Sequence, residues 1–251
     1  MKGFIWKGFV LAAATLVGTM SASAARALQL TPEQLSKFDQ YVQQERKAFT
    51  QLELSKIDPT SFKWSGAADS LEVYFINEGA AYRNQLLFSA NGGALGTVFN
   101  DVSSTQSIIA EANGPLTRGE GKSLGSFAEG TVIDFFLNSD GYSRGDNLVG
   151  QTPDQVNGLL NLNFLGADAS RNGDGLQHMI AYDLGQGWTL MGFEDIVNGG
   201  DLDYNDTVFV VRGVAGTKVP GGVSTPEPSA MLSLAAAAAL GLISRRRQHN
   251  S

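Results

Sequence analysis

"HMIAYDLGQGWTLMGF", residues 178 to 193, holds two apolar runs with Gly185 and Gly187 between them. Residues 178–184 and 188–193, joined through "DLGQGW", read as two strands of a tight hairpin. The same texture extends outward. Further strands are expected at 71–76 "LEVYFI", 84–90 "NQLLFSA", 96–102 "GTVFNDV", 131–137 "TVIDFFL" and 207–214 "TVFVVRGV". Turn clusters punctuate them: "NGG" at 91, "NSDG" at 138, "NGDG" at 172 and "NGG" at 198. Short strands with few helices between them predict an all-β fold, an antiparallel, jelly-roll-like sandwich over residues 59–213. No internal repeat is visible.

One helix precedes the strands, in an N-terminal segment spanning 26–58. Thr31 suits an N-cap, Pro32 the first turn, and Gln34 can close a capping box. Leu35, Phe38, Val42, Phe49 and Leu52 form an apolar stripe at three- and four-residue steps. The pattern predicts an amphipathic helix from Thr31 to Leu54, interrupted on its stripe by Glu45 and packed on the domain.

The two ends read as processing segments. Residues 1–25 carry Lys2 and Lys7, an apolar run from Phe9 to Val17, and small residues at Ala22 and Ala24, the pattern of a secretory signal peptide. Residues 214–225 look like a linker. Residues 226–251 hold Pro226-Glu227-Pro228, an apolar run from Ala230 to Ile243, and Arg245, Arg246 and Arg247. A short membrane-seeking helix stopped by a cationic cluster suits a transient transmembrane anchor. This end resembles the PEP-CTERM sorting signal of bacterial surface proteins. The resemblance implies processing by an exosortase, a bacterium with an outer membrane, and commonly an exopolysaccharide matrix.

Of the 18 Lys and Arg, five lie in residues 1–25 and 229–251; residues 26–228 hold the other 13 and all 25 Asp and Glu, a net charge of −12. That balance disfavours nucleic acid, whose phosphates ask for basic patches. Cysteine is absent, so an exported chain of this kind relies on its core or on metal rather than disulfides.

The acids are not evenly spread. "GFEDIVNGGDLDYNDTVFVV", residues 192 to 211, carries Glu194, Asp195, Asp201, Asp203 and Asp206, and no Lys or Arg lies between Arg171 and Arg212. In an extended strand Asp201, Asp203 and Asn205 would share one face. Gly199 and Gly200 would let Glu194 and Asp195 fold back toward them. Carboxylates so gathered need a counter-ion or raised pKa values. Calcium suits such an oxygen cup, with Asp201, Asp203 and Asp206 as direct ligands, Glu194 and Asp195 as bidentate or supporting partners, and Asn205 as a neutral oxygen. Zinc and copper are disfavoured without Cys and with only two His. The stretch is not an EF-hand: from Asp201 the sixth position is Asp206, not Gly, and the twelfth is Arg212, not Glu. The competing reading is a solvated acidic loop.

With "EVYFINEGAAYRNQLLF" upstream and "NGDGLQHMIAYDL" before it, this closing stretch resembles the family called domain of unknown function 4114 over about residues 60 to 212. The resemblance implies a β-rich extracellular module with acidic residues at Glu78, Asp174, Glu194, Asp195, Asp201, Asp203 and Asp206, and no settled activity.

Weaker signals add little. "GEGKS" at 119–123 lacks the first glycine of a phosphate loop, since position 116 is Leu116. His178 has no nucleophile motif nearby and reads as a satisfied histidine at a strand start. Asp140 and Asp146 sit in a turn-rich loop that reads as solvent-facing. The sequence therefore points to an exported, non-catalytic, calcium-binding module with a structural or adhesive role at the cell surface or in an exopolysaccharide matrix. Its expected partners are signal peptidase, exosortase and exopolysaccharide. The alternative is a carbohydrate-active hydrolase using the same carboxylates across a cleft, for example Asp195 with Glu78.

Overall fold

The computed structural model describes residues 27–42, 49, 52–109, 114–158 and 162–220. The expected signal peptide and PEP-CTERM segment lie outside them. Among the described residues no helix is long and apolar enough to cross a membrane.

Two antiparallel sheets face one another. The larger runs β1 (Ala27–Gln29), β7 (Glu120–Ser123), β4 (Glu72–Asn77), β12 (Thr207–Arg212), β11 (Trp188–Phe193), β10 (Met179–Gly185), β2 (Ser55–Ile57). The smaller runs β6 (Gly96–Val102), β5 (Asn84–Ala90), β8 (Ile133–Asn138), β9 (Phe164–Gly166). A two-stranded ribbon, β3 (Lys63–Trp64) with β13 (Val214–Ala215), lies beside them. The expected hairpin is the pair β10–β11. Its turn residues Gln186 and Gly187 both have positive φ, +54° and +77°, as a two-residue primed turn requires.

Alternation along each strand builds three apolar layers. Val73, Phe75, Met191, Phe193, Phe209 and Val211 of the larger sheet meet Leu86, Val98, Phe135 and Leu137 of the smaller one. Phe209 anchors this core, with ring centroids 5.5 Å from Phe135 and 6.0 Å from Phe193. The alternate residues Tyr74, Ile76, Tyr182, Leu190, Val208 and Val210 pack under Leu30, Phe38, Val42 and Phe49 of the N-terminal segment. Leu87 and Phe136 lie under Leu95, Val156 and Phe164. Both faces of each sheet are covered, which explains unbroken apolar runs such as "TVFVV" where one wet face would demand alternation.

The helix is shorter than its periodicity suggests. α1 covers Pro32–Asp39, with the capping box between Thr31 and Gln34 formed as expected. Of the expected continuation to Leu54, the described residues 40–42 and 52–54 are not helical. Asp39 ends the helix buried, paired with Arg118 and accepting from Asn77 Nδ2 at 3.1 Å. Farther on, Phe49 is pinned across the sheet. Its N–H donates to the Asp203 carbonyl at 2.9 Å, and its own carbonyl accepts from Tyr182 Oη at 2.7 Å. Ser55–Ile57 then pairs with β10. Strand pairing and burial override helical propensity here. Phe38, Val42 and Phe49 of the stripe are buried all the same, with Leu35 and Leu52 partly buried against them. Replacing Thr31 with Ala removes the cap and should cost about 1 kcal/mol, read by chemical denaturation.

Two further boundaries differ from expectation. The strand predicted over 207–214 breaks at Gly213. The segment 214–220, expected as linker, packs on the domain: Lys218 pairs with Asp183 at 2.7 Å, and Val219 N–H donates to the Lys56 carbonyl at 3.0 Å. The "EGKS" segment is an ordinary strand, β7, whose Gly121 lies against the Tyr74 ring. Two short helices, α2 (Gly141–Arg144) and α3 (Pro153–Gly158), complete the fold.

Candidate metal centre

Strands β11 and β12 are antiparallel neighbours, with Phe193 opposite Thr207. The loop between them, 194–206, therefore starts and ends at one place. Glu194 and Asp195 emerge beside Asp206 without any side-chain preference being needed. The end of β4 and the start of β5 reach the same end of the sandwich. They contribute Glu78, through the Gly79 N–H to Asn205 carbonyl bond at 2.9 Å, and Asn84, whose Nδ2 donates to Asp195 Oδ2 at 2.8 Å.

The loop is not the extended strand expected for 201–205. Asn198, Gly199, Gly200, Leu202 and Tyr204 all have positive φ, and regular strand geometry begins only at Thr207. Successive Asx turns stitch it: Asp203 N–H donates to Asp201 Oδ1 at 3.3 Å, and Asn205 N–H to Asp203 Oδ1 at 3.1 Å. Glu194 is held from two sides. Its Oε1 accepts from Ile196 N–H at 3.4 Å and its Oε2 from Leu202 N–H at 3.0 Å. Asp206 Oδ2 accepts from Asp195 N–H at 2.8 Å.

These bonds gather all five loop carboxylates. Glu194, Asp201 and Asp203 have oxygens within 4.8 Å of one another, and so do Glu194, Asp195 and Asp206. Asp201 is exposed; the other four are buried. Glu194 is common to both groups, whereas Asp201 and Asp206 fall in different ones. A single ion ligated by Asp201, Asp203 and Asp206 together, as the strand reading implied, is thus not the grouping found. Asn205 lies within the site, its Nδ2 donating to Asp203 Oδ2 at 2.7 Å.

Among the described residues no ion pair involves Glu194, Asp195, Asp201 or Asp206; Arg83 is taken by Asp101 and Arg118 by Asp39. Without an ion the acids are forced toward neutrality. Burial, then the charges of Asp206 and Asp201, push Glu194 up to about 9. Burial is also the main cause of the raised proton affinity of Asp195 and Asp206; the charges of Glu194 and Glu78 add to it at Asp195, where hydrogen bonds from Asn84 and Asp206 offset part, and the charges of Asp195 and Asp203 add to it at Asp206. Burial pushes Glu78 up to about 8, with the nearby Ser107 hydroxyl and the Ser104 amide offsetting only part of it.

Asp174 has a different role. It forms part of a brace. His178, fully buried, offers Nδ1 to the Glu194 carbonyl at 2.9 Å and Nε2 to Asp174 Oδ2 at 2.8 Å. Asp174 also accepts from Asn198 N–H at 2.7 Å and Leu176 N–H at 3.0 Å. Burial raises its proton affinity, but those amides and His178 outweigh that and hold its carboxyl below the usual range. His178 is thus the satisfied histidine that the sequence suggested. Asp174→Ala strands a buried ring N–H and a loop amide, and should cost about 2 kcal/mol in a urea melt while leaving the number of bound calcium ions unchanged. Asp146, in the other acidic loop, is occupied by Arg144 at 2.7 Å.

The donor set fits a hard cation. Every candidate ligand is an oxygen, as calcium's all-oxygen shell requires, and both nitrogens of His178 are already engaged. Buried oxygens also lack partners here. Five buried side-chain oxygens among the described residues have none, and they include Glu78 Oε2, Asn205 Oδ1 and Thr207 Oγ1. Sequence reasoning did not assign Asn84 or Thr207. Asn84 stands within the quoted "EGAAYRN" stretch, but only the pairing of the two sheets shows that it reaches Asp195.

The molecule is thus an all-β sandwich with a buried carboxylate cluster at one end. Residues 127–214 match the family described as Domain of unknown function (DUF4114), which supports placing this segment in that domain family. The match covers less than half of the chain and does not reach Glu78 or Asn84. Neither the curated proteins nor the solved structures contain a match.

Proposed function

We propose that this protein is an exported, calcium-dependent β-sandwich module with a structural or adhesive role at the cell surface or in an exopolysaccharide matrix. One observation carries the reading: five carboxylates, four of them buried, converge between the last two long strands, and among the described residues none of Glu194, Asp195, Asp201 and Asp206 forms an ion pair. Calcium there would tie Glu194 and Asp195 at the end of β11 to Asp206 at the start of β12, and so close the sandwich. The groove of about 380 Å³ between β6 and β7, lined by Asp101, Glu120, Lys122 and Tyr142, is separate from the five carboxylates. The two terminal segments supply the route: a signal peptide for export, then exosortase processing near Pro226 to Pro228.

The test is the mature protein recovered from the producing cells. Mass spectrometry should find termini near residue 26 and near 226–228, and chelator should release the protein from the cell surface. Full-length protein retained in the cytoplasm would overturn the export reading.

A further inference from the structure

Resting on the calcium reading, the geometry points to two cation positions in this site, an inner and an outer one, sharing the Glu194 carboxylate. Calcium binds oxygen at 2.3–2.6 Å, so two ligands of one ion lie at most about 5 Å apart. The carboxylates meet that limit as two sets of three, and only Glu194 belongs to both. Its two oxygens are oriented by separate amides, those of Ile196 and Leu202, which holds the group as a bridge.

The unpartnered buried oxygens supply independent support. Asn205 is 2% exposed, and its amide lies on the Asp203 carboxylate, yet Oδ1 has no partner. Thr207, 1% exposed and directly after Asp206, has an unpartnered Oγ1. Neutral oxygens left without donors are what a coordination shell requires and what a self-contained hydrogen-bond network avoids.

The two positions differ in access. The inner one, at Glu194, Asp195 and Asp206, is enclosed, and its ion is structural and slow to exchange. The outer one, at Glu194, Asp201 and Asp203, opens through exposed Asp201. Its ion keeps water-filled coordination sites and can take a hydroxyl or carboxylate of an extracellular sugar.

Equilibrium dialysis of chelator-treated protein against calcium, with native mass spectrometry, tests this. Two ions per chain with unequal affinities are expected. D201N, at an exposed side chain that leaves the fold intact by circular dichroism, should weaken one of them at least tenfold and spare the other. D206N should do the converse. A single ion per chain lost in both variants would overturn the two-position arrangement while leaving the calcium reading standing. No bound calcium at all would remove both.

Discussion

In calcium-free buffer at pH 8, Asp206→Asn should melt higher than the unsubstituted protein, and the order should reverse in calcium. The folded protein holds Asp206 protonated well above the ordinary carboxylate range, chiefly through burial and the adjacent Asp195 charge. The unfolded chain releases that proton near pH 4. With a folded-state proton affinity above the unfolded one, the folded state binds more protons, so stability falls as pH rises. The penalty is absent below about pH 4 and grows as pH rises from there through the raised pKa. Asn carries no such penalty, and its amide can donate to Glu194 while its oxygen still accepts from Asp195 N–H. One pK unit is about 1.4 kcal/mol, so a gain of about 2 kcal/mol is expected at pH 8, or roughly 4–8 °C for a domain of this size. The gain vanishes near pH 4. Saturating calcium reverses the comparison, because ligand at a hundred times Kd contributes about 2.7 kcal/mol to the intact site. The variant should lose the greater part of that. Calorimetry at pH 4 and 8, each with calcium and with chelator, reads all four cases. A variant that melts lower than the unsubstituted protein at pH 8 without calcium would contradict this electrostatic account.

The second large effect is expected at Gly200, where a methyl group would meet the bridging carboxylate. A Cβ there falls 2.0 Å from Glu194 Oε1 and 2.8 Å from Glu194 Cδ, on a backbone with φ +44°. Glu194 cannot simply swing aside, because the Ile196 and Leu202 amides hold both of its oxygens. Gly200→Ala should cost about 1–2 kcal/mol from the left-handed backbone alone. It should also lower calcium affinity at least tenfold, about 1.4 kcal/mol. Gly150→Ala provides the comparison. Gly150 also has positive φ, +87°, but nothing lies within 4 Å of its would-be Cβ. It should show the backbone cost and unchanged calcium affinity by isothermal titration. Equal affinity losses in both would show that Glu194 displacement is not the cause.

The strands were legible wherever a run of apolar residues was bounded by glycine-rich turns. β5, β6 and β11 fall at 84–90, 96–102 and 188–193, as the runs predict. Short strands were not, because two to four residues such as Lys63–Trp64 carry no period of their own and form only against a neighbour. The helix failed beyond Asp39 for a related reason. Its stripe of Phe38, Val42 and Phe49 marks burial correctly, but burial on a sheet does not require a helix once strand pairing and Tyr182 compete for the backbone. At the site, crowded charge was visible in the spacing of Glu194 to Asp206. The division into two groups around Glu194 was not, since it depends on left-handed residues at 198, 199, 200, 202 and 204 and on amide donors within the loop. The contributions of Glu78 and Asn84 depend on strands more than a hundred residues away.

The most direct measurement is thermal unfolding of the purified protein at pH 7.5, once with millimolar calcium and once with chelator. Convergent loop carboxylates that require a divalent ion predict a midpoint several degrees higher in calcium, and a smaller rise in magnesium at equal concentration, because magnesium demands a tighter octahedral shell. Superimposable curves in calcium and chelator would contradict it.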